Sequence, residues 1–391
     1  MKRAVRIAFE YYLALPLGGA IALVWANVHP ATYFPIAQGL AFLVNDVGMA
    51  FALAYVAQEV IEGALPGGAL YPLRRTTVPI IASIGGTLGA VAAYVIFIRL
   101  HDEQVLLQGY PIACGVDVLY CLALGRAIFR RSAAVTFLLM VAIVSDIVGL
   151  ALISPDYQVA YSVSTVPRMA SVLFLAALGV SALLRGLAVR SVGPYVVVSG
   201  SLSWAACYLA GLHPAIALLP IVPFLRHTPR DLNHLRLDAS GQGHESATHF
   251  EYLFRHPMHA ISFLFGFVNT GVLMRGIGTG TWAVLFASIV GRPIGILAAI
   301  GVALALGLEL PRRVGWKEIF VISLTVSLTM AFGIFLATGV FPDGPLLIET
   351  KMGAISTIVG VMLTLSAARL LHVGRFATIA GPRQRVVAQH R

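Results

Sequence analysis

The sequence predicts an all-α polytopic membrane protein with about twelve transmembrane helices. Hydrophobic residues make up 58% of its 391 residues and charged residues only 11%, whereas soluble proteins average about 45–50% and about 25%. A helix that crosses a bilayer needs about 20 apolar residues, so twelve crossings take roughly 240 residues and fit within the chain. This composition excludes an ordinary cytosolic enzyme, a disordered protein and a disulfide scaffold.

Apolar runs separated by charged or Pro/Gly-rich joints define the predicted spans. In chain order they cover residues 11–27, 39–59, 77–99, 108–125, 133–154, 167–187, 194–210, 212–225, 257–274, 281–308, 318–340 and 351–371. The boundary between the seventh and eighth spans is open, because Gly211, His213 and Pro214 fit a bend as well as a loop. Spans 1–6 (about 11–187) and spans 7–12 (about 194–371) form one predicted transmembrane transporter domain, residues 1–371.

The distribution of basic residues predicts the orientation in the membrane. The net charge is +10, from 27 Lys and Arg residues against 17 Asp and Glu residues. Because basic residues collect in cytoplasmic loops, we expect this excess to mark the inner side and not a nucleic acid partner. With the N-terminus inside, only Arg99, Arg168, Arg275 and Lys351 fall in outer segments, and Arg292 lies within a span. Both termini are therefore predicted to be cytoplasmic.

Two polar segments interrupt or follow the predicted spans. Residues 226–256 are rich in His, Arg, Asp and Ser, which predicts a cytoplasmic linker. Residues 372–391 are basic and polar, which predicts a cytoplasmic tail that is disordered or rests on anionic lipid. Membrane lipid is therefore an expected partner.

Several ionisable residues fall inside the predicted spans, namely Asp46, Glu59, Asp117, Asp146 and Arg292. A charge at this depth costs at least about 2.5–3.5 kcal/mol on insertion scales, so each one needs a partner or a function. Glu59 also fits an interfacial residue, and Asp46 a buried structural acid. Asp146 lies in the middle of an apolar span, where a carboxylate can bind a hard cation such as Na⁺ or carry a proton. Competition between the two ions is enough for exchange.

Spans 4 and 11 have an irregular composition. Span 4 contains Gly109, Pro111 and Gly115, and span 11 has a run of hydroxyl residues that ends at Thr329, shortly before Gly333. Such residues in a membrane helix are typical of a break that lines a cavity. We therefore predict inverted repeats, spans 3–5 and 10–12, with two broken and crossing helices that form an ion or substrate site.

These segments resemble, in the same order, those of the bacterial NhaA-type sodium/proton antiporters. LVNDVGMAFALAYVAQEV is similar to the family's second span, LLMVAIVSDIVG to its fifth and SLTMAFGIFLA to its eleventh; GRPIGI is similar to the tenth, and AGLHPAIA resembles the link before the eighth. The resemblance extends from about residue 40 to residue 371. It implies exchange of Na⁺ or Li⁺ for H⁺ across the bacterial inner membrane in pH homeostasis, with no cofactor and no enzymatic reaction.

The chain departs from the family at charged positions. The family's first Asp of an Asp-Asp pair is Ser145 here, so that only Asp146 remains, and the family's Lys in the tenth span is Arg292. The resemblance implies that Asp146 binds Na⁺ or H⁺ and that Ser145 adds a hydroxyl ligand. It also implies that Asp117 and Arg292 compensate helix dipoles or support the site. Alternatively, Arg292 extends to the cytoplasmic surface and has no role at the site.

Four further residues are predicted to be accessory to the site, and these are Asp46, Glu59, Thr329 and His213. His213 matches a family position associated with the pH response. The link between spans 1 and 2 is shorter than the family's dimerising β-hairpin, so a homodimer is an open expectation.

The two departures predict electroneutral exchange. Ser145 does not titrate near neutral pH, and Arg292 stays protonated in a protein. One carboxylate alternates between one proton and one cation, so no net charge moves in a cycle. Two other functions stay open, a sodium-coupled organic-anion symporter of the bile-acid type and a non-transporting membrane sensor of the same fold.

Overall fold

The computed structural model describes residues 14–66, 68–130, 132–160, 166–225, 253–254, 257–274, 276–311 and 313–377. All regular secondary structure in these ranges is helical. Most of the predicted linker 226–256 and of the predicted tail 372–391 lies outside the described residues.

The α-helices are numbered here in chain order. They are α1 (Ala14–Val28), α2 (Pro30–Ala64), α3 (Leu73–Leu100), α4 (Val118–Phe129), α5 (Ala133–Ala160), α6 (Pro167–Gly186), α7 (Tyr195–Ala210), α8 (Pro257–Thr270), α9 (Thr279–Ala305), α10 (Trp316–Thr325), α11 (Met330–Val340), α12 (Pro345–Ser356) and α13 (Val359–Leu370). A 3-10 helix, Gln104–Cys114, precedes α4. Short π-helical segments lie within α2 (Phe42–Gly48), α7 (Tyr195–Gly200) and α9 (Ala287–Gly291).

The length and apolarity of these helices fit a protein that crosses a membrane several times. Within the described residues, six helical stretches are long and apolar enough to cross, or up to eight if each of two bent pairs counts as one span. The six are α2, α3, α5, α6, α9 and the stretch Pro345–Phe376, which contains α12 and α13. Helices α1 and α7 are shorter and apolar. The predicted all-α membrane architecture is confirmed at this level.

Both predicted breaks are present. The 3-10 helix Gln104–Cys114 meets α4 at 49°, and α10 meets α11 at 50°. Residues 115–117 form the first break and residues 326–329 the second. Hydroxyl groups satisfy carbonyls beside the second break, because Thr325 Oγ1 donates to Val321 O at 2.8 Å and Ser327 Oγ to Ser323 O at 2.9 Å. This local bonding makes a broken helix tolerable inside a membrane.

Residues 212–225, predicted as the eighth span, do not form an α-helix. Gly211 ends α7 in the left-handed conformation with φ 71°, which glycine adopts without a steric penalty. Only the short 3-10 turns Pro214–Ile216 and Val222–Phe224 follow. The prolines of this segment lack the N–H that an α-helix needs, so its apolar composition alone gave the wrong prediction.

Helices α3 and α9 meet backbone to backbone through glycines. A Cβ atom at Gly89 would lie 2.5 Å from Gly291 O, and one at Gly291 would lie 2.7 Å from Gly89 O. Side chains larger than hydrogen therefore do not fit here, and the two helices approach more closely than bulkier residues allow. Arg292 follows Gly291 directly, so this contact brings its side chain beside the first break.

Candidate functional site

The two breaks lie against each other, and Asp117 joins them. Its backbone N–H donates to Leu328 O at 2.9 Å. Its carboxylate accepts from two N–H groups at the start of α11, with Oδ2 2.9 Å from Ala331 N and Oδ1 2.8 Å from Phe332 N. The first N–H groups of a helix have no partner within the helix and carry partial positive charge. Asp117 therefore satisfies and compensates the N-terminal end of α11.

Arg292 compensates the opposite kind of helix end. Its Nη2 donates to Ala113 O, and to Gly115 O at 2.9 Å. These carbonyls lie at the C-terminal end of the 3-10 helix Gln104–Cys114, where carbonyl oxygens lack helical partners and carry partial negative charge. The side chain is fully buried, so it does not extend to a surface. Its Nε and Nη1 have no hydrogen-bond partner among the described residues.

Asp146 lies on α5 beside the first break. Its side chain is buried, and Oδ1 accepts the backbone N–H of Val116 at 2.9 Å. Val116 is the residue between the carbonyl that Arg292 binds and Asp117. The first break therefore binds Arg292 through Gly115 and Asp146 through Val116, and its third residue is Asp117 itself.

A small cavity is lined by both acids. Its volume is about 20 Å³, and Asp117, Asp146 and Phe332 contribute to its wall together with aliphatic residues of α1, α2, α4 and α8. A cavity of about 10–15 Å³ or more by this measure holds one water molecule. The space is therefore sufficient for a single water or a single dehydrated monatomic cation.

Ser145 faces a different neighbour from Asp146. Its Oγ lies 2.9 Å from Ser83 Oγ on α3, and both hydroxyls are buried. Ser145 does not line the cavity that Asp146 lines. The prediction that Ser145 is an ion ligand therefore requires its hydroxyl to move toward the cavity.

Asp46 and His213 form a second buried polar group. His213 Nε2 lies 3.9 Å from Asp46 Oδ1, and both residues are buried. His213 Nδ1 accepts the N–H of Ala215 at 3.2 Å, so in a neutral ring the proton sits on Nε2, on the side of Asp46. Beside Asp46, Asn45 exchanges amide hydrogen bonds with Asn269 at 2.7 and 3.1 Å.

Glu59 and Thr329 lie apart from the cavity wall. Glu59 Oε2 accepts from Arg126 Nη2 at 2.7 Å in a partly exposed ion pair, which fits the interfacial alternative given above. Thr329 ends the second break, and its N–H donates to Thr357 Oγ1 at 3.2 Å. The Thr329 hydroxyl is buried and has no hydrogen-bond partner among the described residues.

Three contacts at the site were not predicted from the sequence, and they involve Ser83, the Val116 N–H and Phe332. A serine or a phenylalanine in an apolar helix carries no signal of its own. Gly115 is the one residue in the sequence that points to the contact with Phe332. A glycine is needed there because a Cβ atom would lie 2.6 Å from Phe332 Cδ1. No group of three or more His, Cys, Asp or Glu residues that could hold a metal ion occurs in the part of the chain that the structure describes.

Comparison with known proteins finds similarity to Na⁺/H⁺ antiporters along nearly the whole chain. A family model described as Na⁺/H⁺ antiporter 1 matches residues 15–371. The chain is 35% identical over 383 residues to the Na⁺/H⁺ antiporter NhaA 1 of Pelobacter propionicus, covering 96% of this chain and 100% of that protein. It is 34% identical over 385 residues to the Na⁺/H⁺ antiporter NhaA of Geobacter metallireducens, with 96% and 100% covered. The NhaA antiporter of Desulfitobacterium hafniense is 34% identical over 380 residues, with 95% and 97% covered.

Proposed function

This chain belongs to the Na⁺/H⁺ antiporter 1 family, and from this premise we propose that Asp146 is the carboxylate at which Na⁺ and H⁺ compete. The protein is a multi-pass membrane transporter that exchanges Na⁺ for H⁺, and it is not an enzyme. Neither the bile-acid-type symporter nor the non-transporting sensor receives support from the relatives, which are named Na⁺/H⁺ antiporters. The observation that supports this role is that Asp146 is buried and lines a cavity of about 20 Å³ between the two broken helices.

The proposed exchange needs only one binding group. Na⁺ is a hard cation that prefers oxygen ligands. Asp146 Oδ1 accepts the Val116 N–H, which orients the carboxylate and leaves Oδ2 for Na⁺, Li⁺ or a proton. A proton on Asp146 removes the negative charge that holds the cation, and a bound cation displaces the proton. Asp117 lines the same cavity, but both of its carboxylate oxygens already accept N–H groups of α11.

Charge balance at the site supports electroneutral exchange. Asp117 accepts two N–H donors and Arg292 donates to two carbonyls, and we propose that both stay ionised through the cycle, so that their opposite charges offset each other together with the helix dipoles. Asp146 is then neutralised by one cation or by one proton. The loaded site has the same charge in both cases, and one H⁺ is exchanged for one Na⁺ or Li⁺.

The membrane arrangement is proposed on similar grounds. The two bent pairs fit inverted repeats, in which α3–α5 and α9–α13 correspond, and the proposed total of twelve crossings counts residues 212–225 as one crossing that is not α-helical. We propose one transmembrane domain over residues 1–371 in the bacterial inner membrane, with both termini, the linker 226–256 and the tail 372–391 in the cytoplasm. A reporter fused after residue 240 is then expected to read as cytoplasmic, and a periplasmic reading contradicts this arrangement. Membrane lipid is the proposed partner, a homodimer the proposed assembly, and no cofactor or nucleic acid takes part.

The decisive experiment measures transport in proteoliposomes that contain a pH dye. Addition of Na⁺ or Li⁺ is expected to move protons in the wild type and not in Asp146→Asn, which removes the proposed titrating group. The exposed Asp343 offers a matched control, and Asp343→Asn is expected to transport like the wild type. Wild-type rates in a folded Asp146→Asn protein contradict the proposal.

A further inference from the structure

We propose that the ion pair between Glu59 and Arg126 is a gate on the cytoplasmic path to Asp146, which opens when a cation replaces the guanidinium beside the Glu59 carboxylate. This inference rests on the proposed role of Asp146 and the proposed orientation, because it concerns how Na⁺ reaches that residue from the cytoplasm. Glu59 Oε2 accepts from Arg126 Nη2 at 2.7 Å. The pair joins α2 to α4, the helix that follows the first break.

The same two helices line the ion cavity. Ala52 of α2 and Leu119 of α4 both belong to the cavity wall. Glu59 follows Ala52 by seven residues, and Arg126 follows Leu119 by seven residues. Seven residues make about two helical turns, so each charged residue lies on the same face of its helix as the cavity residue, about 10 Å further along. The ion pair is therefore two turns from the cavity, on the interface between α2 and α4.

Apolar side chains separate the cavity from the ion pair on this interface. Residues 53–58 and 120–125 contain no Asp, Glu, Lys or Arg. Val56 and Leu122, which lie between the two levels, are buried. Both helices run toward the cytoplasm in the proposed arrangement. A cation that enters along this interface therefore meets the ion pair first and the cavity two turns later.

The ion pair is accessible to water, which distinguishes it from the charges at the cavity. The side chains of Glu59 and Arg126 are 17% and 27% exposed, whereas Asp146 and Arg292 are buried. Partly hydrated ion pairs contribute little to stability, so this one opens at a small cost. A carboxylate oxygen is also a ligand that a hard cation prefers. Glu59 can therefore exchange its guanidinium partner for an incoming cation.

A gate built from opposite charges predicts opposite effects when either partner is removed. Without the Glu59 carboxylate, the positive charge of Arg126 stays on the path and repels cations. Without the Arg126 guanidinium, the negative charge of Glu59 stays on the path and attracts them. An ion pair that only stabilises the fold predicts changes in the same direction for both substitutions, because the same bond is lost.

The experiment measures Na⁺/H⁺ exchange separately from the two sides of the membrane. Inside-out vesicles present the cytoplasmic side to added Na⁺, and right-side-out vesicles present the periplasmic side. Glu59→Gln is expected to raise the cytoplasmic Na⁺ concentration for half-maximal exchange about threefold, and Arg126→Gln to lower it about threefold, as one unit charge does at about 10 Å in a partly hydrated path. The periplasmic values are expected to stay at the wild-type level. Glu59→Arg combined with Arg126→Glu is expected to restore the cytoplasmic value.

A second ion pair on the same side of the molecule provides a matched control. Arg75 Nη2 of α3 lies 3.0 Å from Oε2 of Glu309, which follows α9. Neither residue lines the cavity, and the pair joins the two helices that meet through glycines. Arg75→Gln removes one positive charge, as Arg126→Gln does, and is expected to keep the wild-type Na⁺ dependence on both sides.

Three results overturn the inference, namely shifts in the same direction in Glu59→Gln and Arg126→Gln, shifts of equal size on both sides of the membrane, and no shift in either variant. If one variant fails to fold, as judged by size-exclusion chromatography, the direction and the sidedness of the shift in the other decide. Full activity in Asp146→Asn contradicts the proposed function, whereas the cytoplasmic shifts in proteins that retain Asp146 still decide the role of the ion pair.

Discussion

Asp117 and Arg292 bind opposite ends of two different broken helices that meet at one point. Asp117 accepts the N–H groups of Ala331 and Phe332 at the start of α11, and Arg292 donates to the carbonyls of Ala113 and Gly115 at the end of a 3-10 helix. Each side chain thus supplies the charge that its helix end lacks. Asp146 Oδ1 accepts the N–H of Val116, the residue between Gly115 and Asp117, and we propose that the other carboxylate oxygen of Asp146 binds the transported ion.

The charge balance predicts that transport does not respond to membrane potential. An electrogenic exchanger gains about 2.3 kcal/mol per charge per 100 mV, whereas an electroneutral one gains nothing. Clamping the potential of proteoliposomes with K⁺ and valinomycin is expected to leave the rate and end point of Na⁺/H⁺ exchange unchanged. A shift of either with the imposed potential requires a second charge carrier, and Asp46 and Glu59 are the first residues to substitute.

Competition at a single carboxylate predicts a simple dependence on pH. Where Asp146 is mostly protonated, each unit fall in pH is expected to raise the Na⁺ concentration for half-maximal exchange about tenfold, because one proton must leave for each cation bound. Initial rates measured over a Na⁺ series at several acidic pH values give this slope on logarithmic axes. A slope of two indicates two protons per Na⁺ and contradicts the proposed stoichiometry.

Substitution of Asp117 is expected to weaken the protein without removing exchange. Asp117→Asn keeps one acceptor oxygen, and Asp117→Ala leaves both N–H groups of α11 unsatisfied at a cost of about 1–3 kcal/mol each. The melting temperature in detergent is therefore expected to fall in the order wild type, Asp117→Asn, Asp117→Ala. Asp117→Asn is expected to transport more slowly than the wild type and faster than Asp146→Asn. Equal inactivity of folded Asp117→Asn and Asp146→Asn proteins assigns Asp117 to ion binding itself.

Substitutions at Ser83 and Ser145 distinguish a structural role of Ser145 from a role as an ion ligand. Ser145→Ala leaves a buried hydroxyl on Ser83 without its partner and is expected to cost about 1 kcal/mol. Ser83→Ala is expected to cost the same, and the double variant less than the sum. Apparent Na⁺ affinity is expected to stay at the wild-type value in all three. A several-fold loss of affinity in Ser145→Ala that Ser83→Ala does not share identifies Ser145 as an ion ligand.

Arg292 is expected to be required for its geometry as well as its charge. Arg292→Lys keeps a positive charge but presents a compact ammonium in place of a planar fork, so binding of both carbonyls is expected to weaken by about 1–2 kcal/mol. Arg292→Met removes the charge and leaves the carbonyl ends and the nearby acids uncompensated, at a cost of about 3–5 kcal/mol. Thermal unfolding of the three proteins tests this order, and a Met variant as stable as the wild type would falsify the proposed compensation.

The charged part of the site could be predicted because charge is rare in a membrane. Asp117, Asp146 and Arg292 each stand out against apolar neighbours, and Gly109, Pro111 and Gly115 mark a helix that cannot stay regular. The bends of 49° and 50° appear where those residues indicate them. The functional roles assigned to these residues stay predictions until the experiments above are done.

Other features depend on packing that leaves no sequence pattern. Ser83 and Phe332 are ordinary residues of apolar helices, and their contacts with Ser145 and Asp117 exist only after α3, α5 and α11 have assembled. The α-helix predicted at 212–225 shows the opposite error, because hydropathy records apolar composition and does not record that the preceding helix ends at Gly211. Asp46 and Glu59 could be recognised as acids within an apolar span, but their neighbours His213 and Arg126 come from distant parts of the chain.

The glycine contact between α3 and α9 limits how the molecule can move during transport. Where Gly89 and Gly291 touch, there are no side chains to change rotamer, so sliding one helix along the other would drive backbone atoms together. We therefore expect α3 and α9 to move together during transport, and the movement to take place at contacts between other helices. Arg292 belongs to this unit, so its positive charge travels with α3 and α9. With the proposed role of Asp146, we expect the displacement that exposes this residue to the opposite side of the membrane to occur between this pair and the helices that contact it through larger side chains.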